Sequence, residues 1–153
     1  MNISITISQF ELQSAWYLKE LANLADNDSN KQMGEGLNSV KWVAGHTLNT
    51  RLVIIHLITG EGQDVEFSKQ FGKGSTGALS ANPLSVEELI QKWNDVNVRL
   101  MACLGNLTEE KLMSPPPFQA SISDKTMHGF ITYMAAHEAF HIGQMSILRK
   151  LIK

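Results

Sequence analysis

The chain has 153 residues, 43% of them hydrophobic, which is enough apolar mass for one continuous core and excludes a disordered polymer. Its 13 basic and 15 acidic residues give a net charge of −2 and are scattered, so no basic run follows a phosphate backbone or an anionic bilayer, and neither nucleic acid nor membrane is expected as a partner. The lone Cys103 excludes an internal disulfide and fits a reducing compartment.

The opening segment, residues 1–10, has no basic start and no long apolar run, so no secretory signal is expected and the protein is read as cytoplasmic. Within it Ile3, Ser4, Ile5, Thr6 and Ile7 alternate, a minor strand-like ambiguity. From Ile7 to Ala25 the residues Ile7, Phe10, Tyr17, Leu21 and Leu24 recur at helical steps apart from one seven-residue gap, which predicts a first helix. The polar run from Asp26 to Asn30, with Gly34 and Gly36 after it, predicts a flexible connection. A second helix is expected from the N-cap Ser39 to Gly60, a residue suited to a helix end. It holds the greasiest stretch, Leu52 to Ile58, which is interrupted by His56 and far short of the roughly 20 residues that cross a bilayer.

Residues 60–84 carry five glycines and little periodicity, and predict a long surface loop between the second and third helices. Ser85 and Glu88 form a capping-box pattern after Pro83, so a third helix runs from Ser85 to about Leu104. Leu107 to Leu112 can add a short helical turn, and Pro115, Pro116 and Pro117 impose an extended connector. A fourth helix capped by Asp124 or Thr126 then continues to the end of the chain, with Arg149, Lys150 and Lys153 favourably placed on its dipole. The expectation is an all-α, four-helix bundle built as a single domain over residues 1–153.

Chemistry concentrates in the fourth helix. His137 and His141 are four residues apart, about 40° around the axis and about 6 Å along it, so both rings can reach one metal. They share a stripe with Phe130, Met134, Met145 and Leu148, which places the pair in the core. A buried imidazole needs partners for its nitrogens, and a shared metal satisfies two rings at once. His46, in the second helix on a face with Trp42, Val43, Asn49, Thr50, Val53 and Leu57, is the third candidate ligand. His128 points about 180° from His137, His56 lies about 15 Å along the helix from His46, and Cys103 has no companion, so each reads as an ordinary residue. Three neutral imidazoles suit zinc, nickel or iron, with open coordination positions, and not calcium or magnesium.

His137 to His141 also matches the H-E-x-x-H pattern of zinc peptidases. Only 12 residues follow His141 and none is acidic or a histidine, so the downstream ligand of such enzymes is missing. Glu138, about 100° around from His137, is a candidate catalytic base, or else a solvated or interhelical ion-pairing residue. Tyr133 and Gln144 are placed to hydrogen-bond the ligand rings or a substrate.

The segment Trp42-Val43-Ala44-Gly45-His46, paired with His137-Glu138-Ala139-Phe140-His141 and the following Ile142-Gly143-Gln144, resembles the DinB/YfiT-like superfamily over nearly the whole chain. The resemblance implies a bundle with a three-histidine zinc or nickel site, homodimer formation and a bacterial origin. It implies either metal-dependent hydrolysis or transfer and isomerisation with a low-molecular-weight thiol such as bacillithiol or mycothiol. The expected occupants of the open positions are therefore a small-molecule substrate or such a thiol. The alternative is a non-catalytic bundle in which a metal staples the second helix to the fourth and the protein works through a partner.

Overall fold

The computed structural model describes residues 2–75, 84–116 and 122–152. These residues form seven helices: α1 (Ser4–Leu21), α2 (Asp26–Ser29), α3 (Val40–Thr59), α4 (Val65–Phe71), α5 (Val86–Gly105), α6 (Glu109–Met113) and α7 (Met127–Ile152), with no strand among the described residues. Four of them, α1, α3, α5 and α7, are long, and they are the four expected helices.

The alternating start is helical from Ser4. Thr6, Phe10, Gln13, Ser14, Tyr17 and Leu21 are buried, so the seven-residue gap in the apolar pattern is filled by two polar residues with assigned partners. Gln13 Nε2 donates to the Ala135 carbonyl and Ser14 Oγ accepts from Trp93 Nε1. The helix ends at Leu21 and not at Ala25, because Asn23 takes a left-handed φ of 58° and breaks the ladder. Arg149 of α7 then donates to the carbonyls of Lys19, Glu20 and Ala22, groups that a helix end leaves without partners.

The predicted flexible connection contains α2, and its Asp26 is a structural joint. One carboxylate oxygen accepts from Lys41 Nζ at 2.8 Å and from the Val86 N–H at 2.8 Å, drawing together the starts of α3 and α5. α3 is capped as expected, with the Ser39 hydroxyl accepting from the Trp42 N–H and Gly60 at φ 76°. The Ser85–Glu88 capping box of α5 is formed in both directions. Thr108 caps α6, and the Thr126 hydroxyl accepts from the Gly129 N–H at the start of α7.

Cross-helix contacts define the topology. Lys41 meets Leu84 and Arg51 meets Asn97, so α3 and α5 run parallel. Thr6 meets Thr132 and Arg149 meets the end of α1, so α1 and α7 are parallel too. Phe10 meets Arg51 while Tyr17 meets Ala44, so α1 runs antiparallel to α3 and the two pairs oppose each other. Parallel neighbours need a crossover running the length of the bundle, which is why a long segment separates α3 from α5.

Within the expected long surface loop the structure adds a helix that the sequence reading did not assign. This is α4, whose Phe67 and Phe71 are buried in the core. Asp64 caps α4 through the Phe67 N–H and pairs with Lys92 of α5, while Ser68 Oγ donates to Asn49 Oδ1 of α3. The part of the predicted loop over 76–83, and the end of the proline connector over 117–121, lie outside the described residues.

Candidate metal centre

His46, His137 and His141 come together, one ligand nitrogen from each lying within 4.8 Å of the others. The two α7 rings are closest, with Nε2 to Nε2 at 3.1 Å. Their position corrects one expectation. The buried face of α7 is centred on Phe130, Ile131, Ala135, Glu138, Ile142 and Met145, and the histidines are partly exposed beside it. The pair therefore stands on the shoulder of the core, where a small molecule can approach it.

Two of the three rings are held from behind. His46 Nδ1 lies 2.7 Å from the Phe71 carbonyl, and His141 Nδ1 lies 2.7 Å from Gln144 Oε1. Both partners are acceptors, so in the neutral rings the proton sits on Nδ1 and the Nε2 lone pair is offered to the centre. His137 Nδ1 is buried with no hydrogen-bond partner. An aromatic ring lies against each imidazole as well: Trp42 stacks on His46 at 5.0 Å and 6°, Phe140 meets His141 edge-on at 5.4 Å, and Tyr133 lies 6.3 Å from His137. The Trp-x-x-x-His spacing thus places a flat apolar face one helical turn from the ligand, anchored by Trp42 Nε1 donating to Ser75 Oγ.

Burial keeps the three rings uncharged. It lowers His46 and His141 below the usual histidine range, against the hydrogen bonds their rings donate to the Phe71 carbonyl and Gln144 Oε1. His137 is pushed down to about 4, first by burial and then by its neighbours His141 and His46. Neutral imidazoles near pH 7 are the form that ligates metal. Three neutral imidazoles with ligand nitrogens gathered within 4.8 Å of one another are donor chemistry that a divalent transition metal would take, so this donor set fits such an ion. No fourth His, Cys, Asp or Glu joins the group among the described residues, and residues 76–83 and 117–121 contain none of those types.

Of the other candidates, Gln144 bonds a ligand ring as expected, and Tyr133 contacts His137 through its ring. His56 bonds the Glu61 carbonyl and His128 lies 3.9 Å from Asp124, both apart from the cluster. Cys103, on α5, is also outside it, with its thiol raised by burial. Glu138 is fully buried, and its two oxygens accept from Arg51 Nη2 at 2.6 Å and Nε at 2.8 Å. Of the roles open to it, the interhelical ion pair is the one the geometry displays.

Sequence reasoning missed the support around His46. A Cβ on Gly45 would come within 2.2 Å of the Phe71 ring, so only glycine lets α4 lie against α3 and bring its last carbonyl to His46. The available signals were Gly45 beside the histidine and the cap-like Asp64 ahead of Phe67 and Phe71.

A bundle of parallel-paired long helices carrying three converging imidazoles defines a helical fold with a candidate metal site. The chain belongs to the DinB superfamily, whose family pattern it matches over residues 9–145. No curated protein matches it. Among solved structures it is similar to a conserved protein from Enterococcus faecalis, at 15% identity and a TM-score of 0.69, covering 99% of this chain and 98% of that one. This likeness shows the fold. No described helix is long and apolar enough to cross a membrane.

Proposed function

We propose that this protein binds one divalent transition metal, zinc or nickel with iron as a further candidate, through Nε2 of His46, His137 and His141, and uses it on a small molecule. The observation that carries the reading is the convergence of the three ligand nitrogens, with His46 and His141 each held from behind by a carbonyl acceptor. When bound, such a metal keeps its charge and open positions, and so supplies Lewis-acid polarisation and acidifies water or a thiol held there. The chain's own residues do the rest. Phe71 and Gln144 orient imidazoles, Trp42, Tyr133 and Phe140 supply flat apolar surfaces for a substrate, and Glu138 acts through Arg51 by fixing the register of α7 against α3. The reaction classes are hydrolysis and transfer to a low-molecular-weight thiol, with the protein as a cytoplasmic homodimer.

A purely structural metal is disfavoured by one observation. Arg51 and Glu138 already join α3 to α7 beside the site, so a metal is not needed as the staple. The test is metal content by plasma mass spectrometry on untagged protein, wild type beside His46→Ala, His137→Ala and His141→Ala. About one equivalent in wild type, lost in all three variants, is the expected result. A wild type that neither contains nor takes up metal sinks the reading.

A further inference from the structure

Gln144 touches the candidate centre without belonging to its donor set, and the hydrogen bonds that start from it determine where two protons lie. Because the Gln144 amide oxygen only accepts, His141 carries its proton on Nδ1 and leaves Nε2 bare. The 3.1 Å contact between His141 Nε2 and His137 Nε2 is then a hydrogen bond only if His137 is the donor. His137 thus holds its proton on Nε2 in the metal-free protein, and its Nδ1, the buried atom without a partner, is a bare lone pair. His46 is fixed separately, by the Phe71 carbonyl.

We propose that Gln144 is a positioning residue: its amide carbonyl locks His141 in the Nδ1–H tautomer, and in doing so makes His137 the one ring that must shift its proton, from Nε2 to Nδ1, when a metal enters. No proton is gained or lost in that shift; it moves between the nitrogens of one neutral imidazole through exchange with solvent. Two rings are ready-made ligands and the third is switched. The shift leaves a buried Nδ1–H facing no acceptor, which works against the metal and makes His137 the weakest of the three ligands. The inference rests on the metal-binding reading for its second half only, because the tautomers exist without metal.

The experiment is nitrogen-15 NMR of the histidine rings in metal-free protein and after one equivalent of zinc, with zinc affinity measured by competition against a chromophoric chelator. Wild type, Gln144→Leu and Gln144→Glu are compared. Leucine has room, since Gln144 borders a cavity of about 280 Å³ lined by Val43, Ile147, Leu148 and Leu151. In metal-free wild type, His46 and His141 are expected as Nδ1–H and His137 as Nε2–H, and zinc turns His137 to Nδ1–H. In Gln144→Leu, His141 becomes a mixture of tautomers and zinc affinity falls about tenfold, while His46 is unchanged and serves as the internal control. Gln144→Glu, which keeps an acceptor, retains the wild-type His141 tautomer. An Nε2-protonated His141 in wild type, or unchanged zinc affinity in Gln144→Leu, overturns the proposal. Wild type that binds no zinc fails the metal reading instead, and the metal-free spectra still decide the tautomer assignment.

Discussion

Two polar constellations tie α3 to α7 within a few residues of each other, and they are opposites. At the centre of the bundle every nitrogen of Arg51 has a partner: Glu138 on α7, Asn97 on α5 and the Phe10 carbonyl on α1, with the guanidinium lying 3.9 Å from the Trp93 ring. On the shoulder, three imidazoles turn their Nε2 atoms toward one another, and one ring has an Nδ1 without any partner. A buried charge network is tolerable only when complete, and this one is complete without help from outside. The histidine cluster keeps one buried nitrogen, His137 Nδ1, without a hydrogen-bond partner. That contrast separates groups that hold the fold from the groups we propose as metal ligands, although both lie on the same two helices.

The sharpest break of the comparison is to remove one member from each. Glu138→Ala strands the Arg51 charge in the core, and a loss of about 3–5 kcal/mol is expected in urea unfolding at pH 7. His137→Ala in metal-free protein is expected to cost less than about 1 kcal/mol, since it deletes a crowded, partly exposed ring with no satisfied second nitrogen. Equal losses would mean that the two constellations are not different in kind. Adding zinc should then stabilise wild type and leave His137→Ala unmoved, through mass action on the folded state alone.

The next largest effect tests the support behind His46. Gly45→Ala sets a methyl against the Phe71 ring, and overpacking of this sort costs about 1–3 kcal/mol. The displacement of α4 also withdraws the Phe71 carbonyl, so zinc affinity should drop about tenfold. Gly143→Ala is the matched control. That glycine is exposed on α7 with nothing within 4 Å of its added Cβ, so the substitution should stabilise by about 0.5–1 kcal/mol. A Gly45→Ala protein of wild-type stability and affinity would show that α4 can shift freely and does not hold the ring.

The four long helices were legible because each carried local signals that agreed: Ser39 with Gly60, Ser85 with Glu88, and helical periodicity along α7. The grouping of three histidines was legible because His137 and His141 share one helix and His46 follows a tryptophan by one turn. What could not be read was whatever depends on a distant partner. Gln13 and Ser14 broke the apolar pattern of α1 because their partners are on α7 and α5. Arg51 and Glu138 are 87 residues apart, and neither announces the other. α4 spans only the seven residues Val65–Phe71, too short for periodicity to register, and its docking depends on the absence of a side chain at Gly45.

Two smaller predictions sharpen the same distinction at the edges of the bundle. Arg149 donates to three carbonyls at the end of α1, so Arg149→Ala should lower stability by about 1 kcal/mol and speed hydrogen exchange in the last turn of α1 before the rest. Asp26 is the mildest case. Its carboxyl is held below the usual range by the hydrogen bond from Lys41, then by the Val86 N–H. Its side chain is 52% exposed, so solvent screens the pair and the contribution is modest although Lys41 is 3% exposed. A depressed folded-state value means that the stabilisation is full above the unfolded value of about 3.9 and is lost as pH falls through the lower folded one. The difference in urea midpoint between wild type and Asp26→Asn should therefore be constant from pH 7 to about pH 5, shrink below about pH 4, and level off once the carboxyl is protonated in both states. A gap that persists unchanged at pH 2 would assign the joint to the shape of the Asp26 side chain and its neutral hydrogen bonds, leaving its charge without a part in holding α3 to α5.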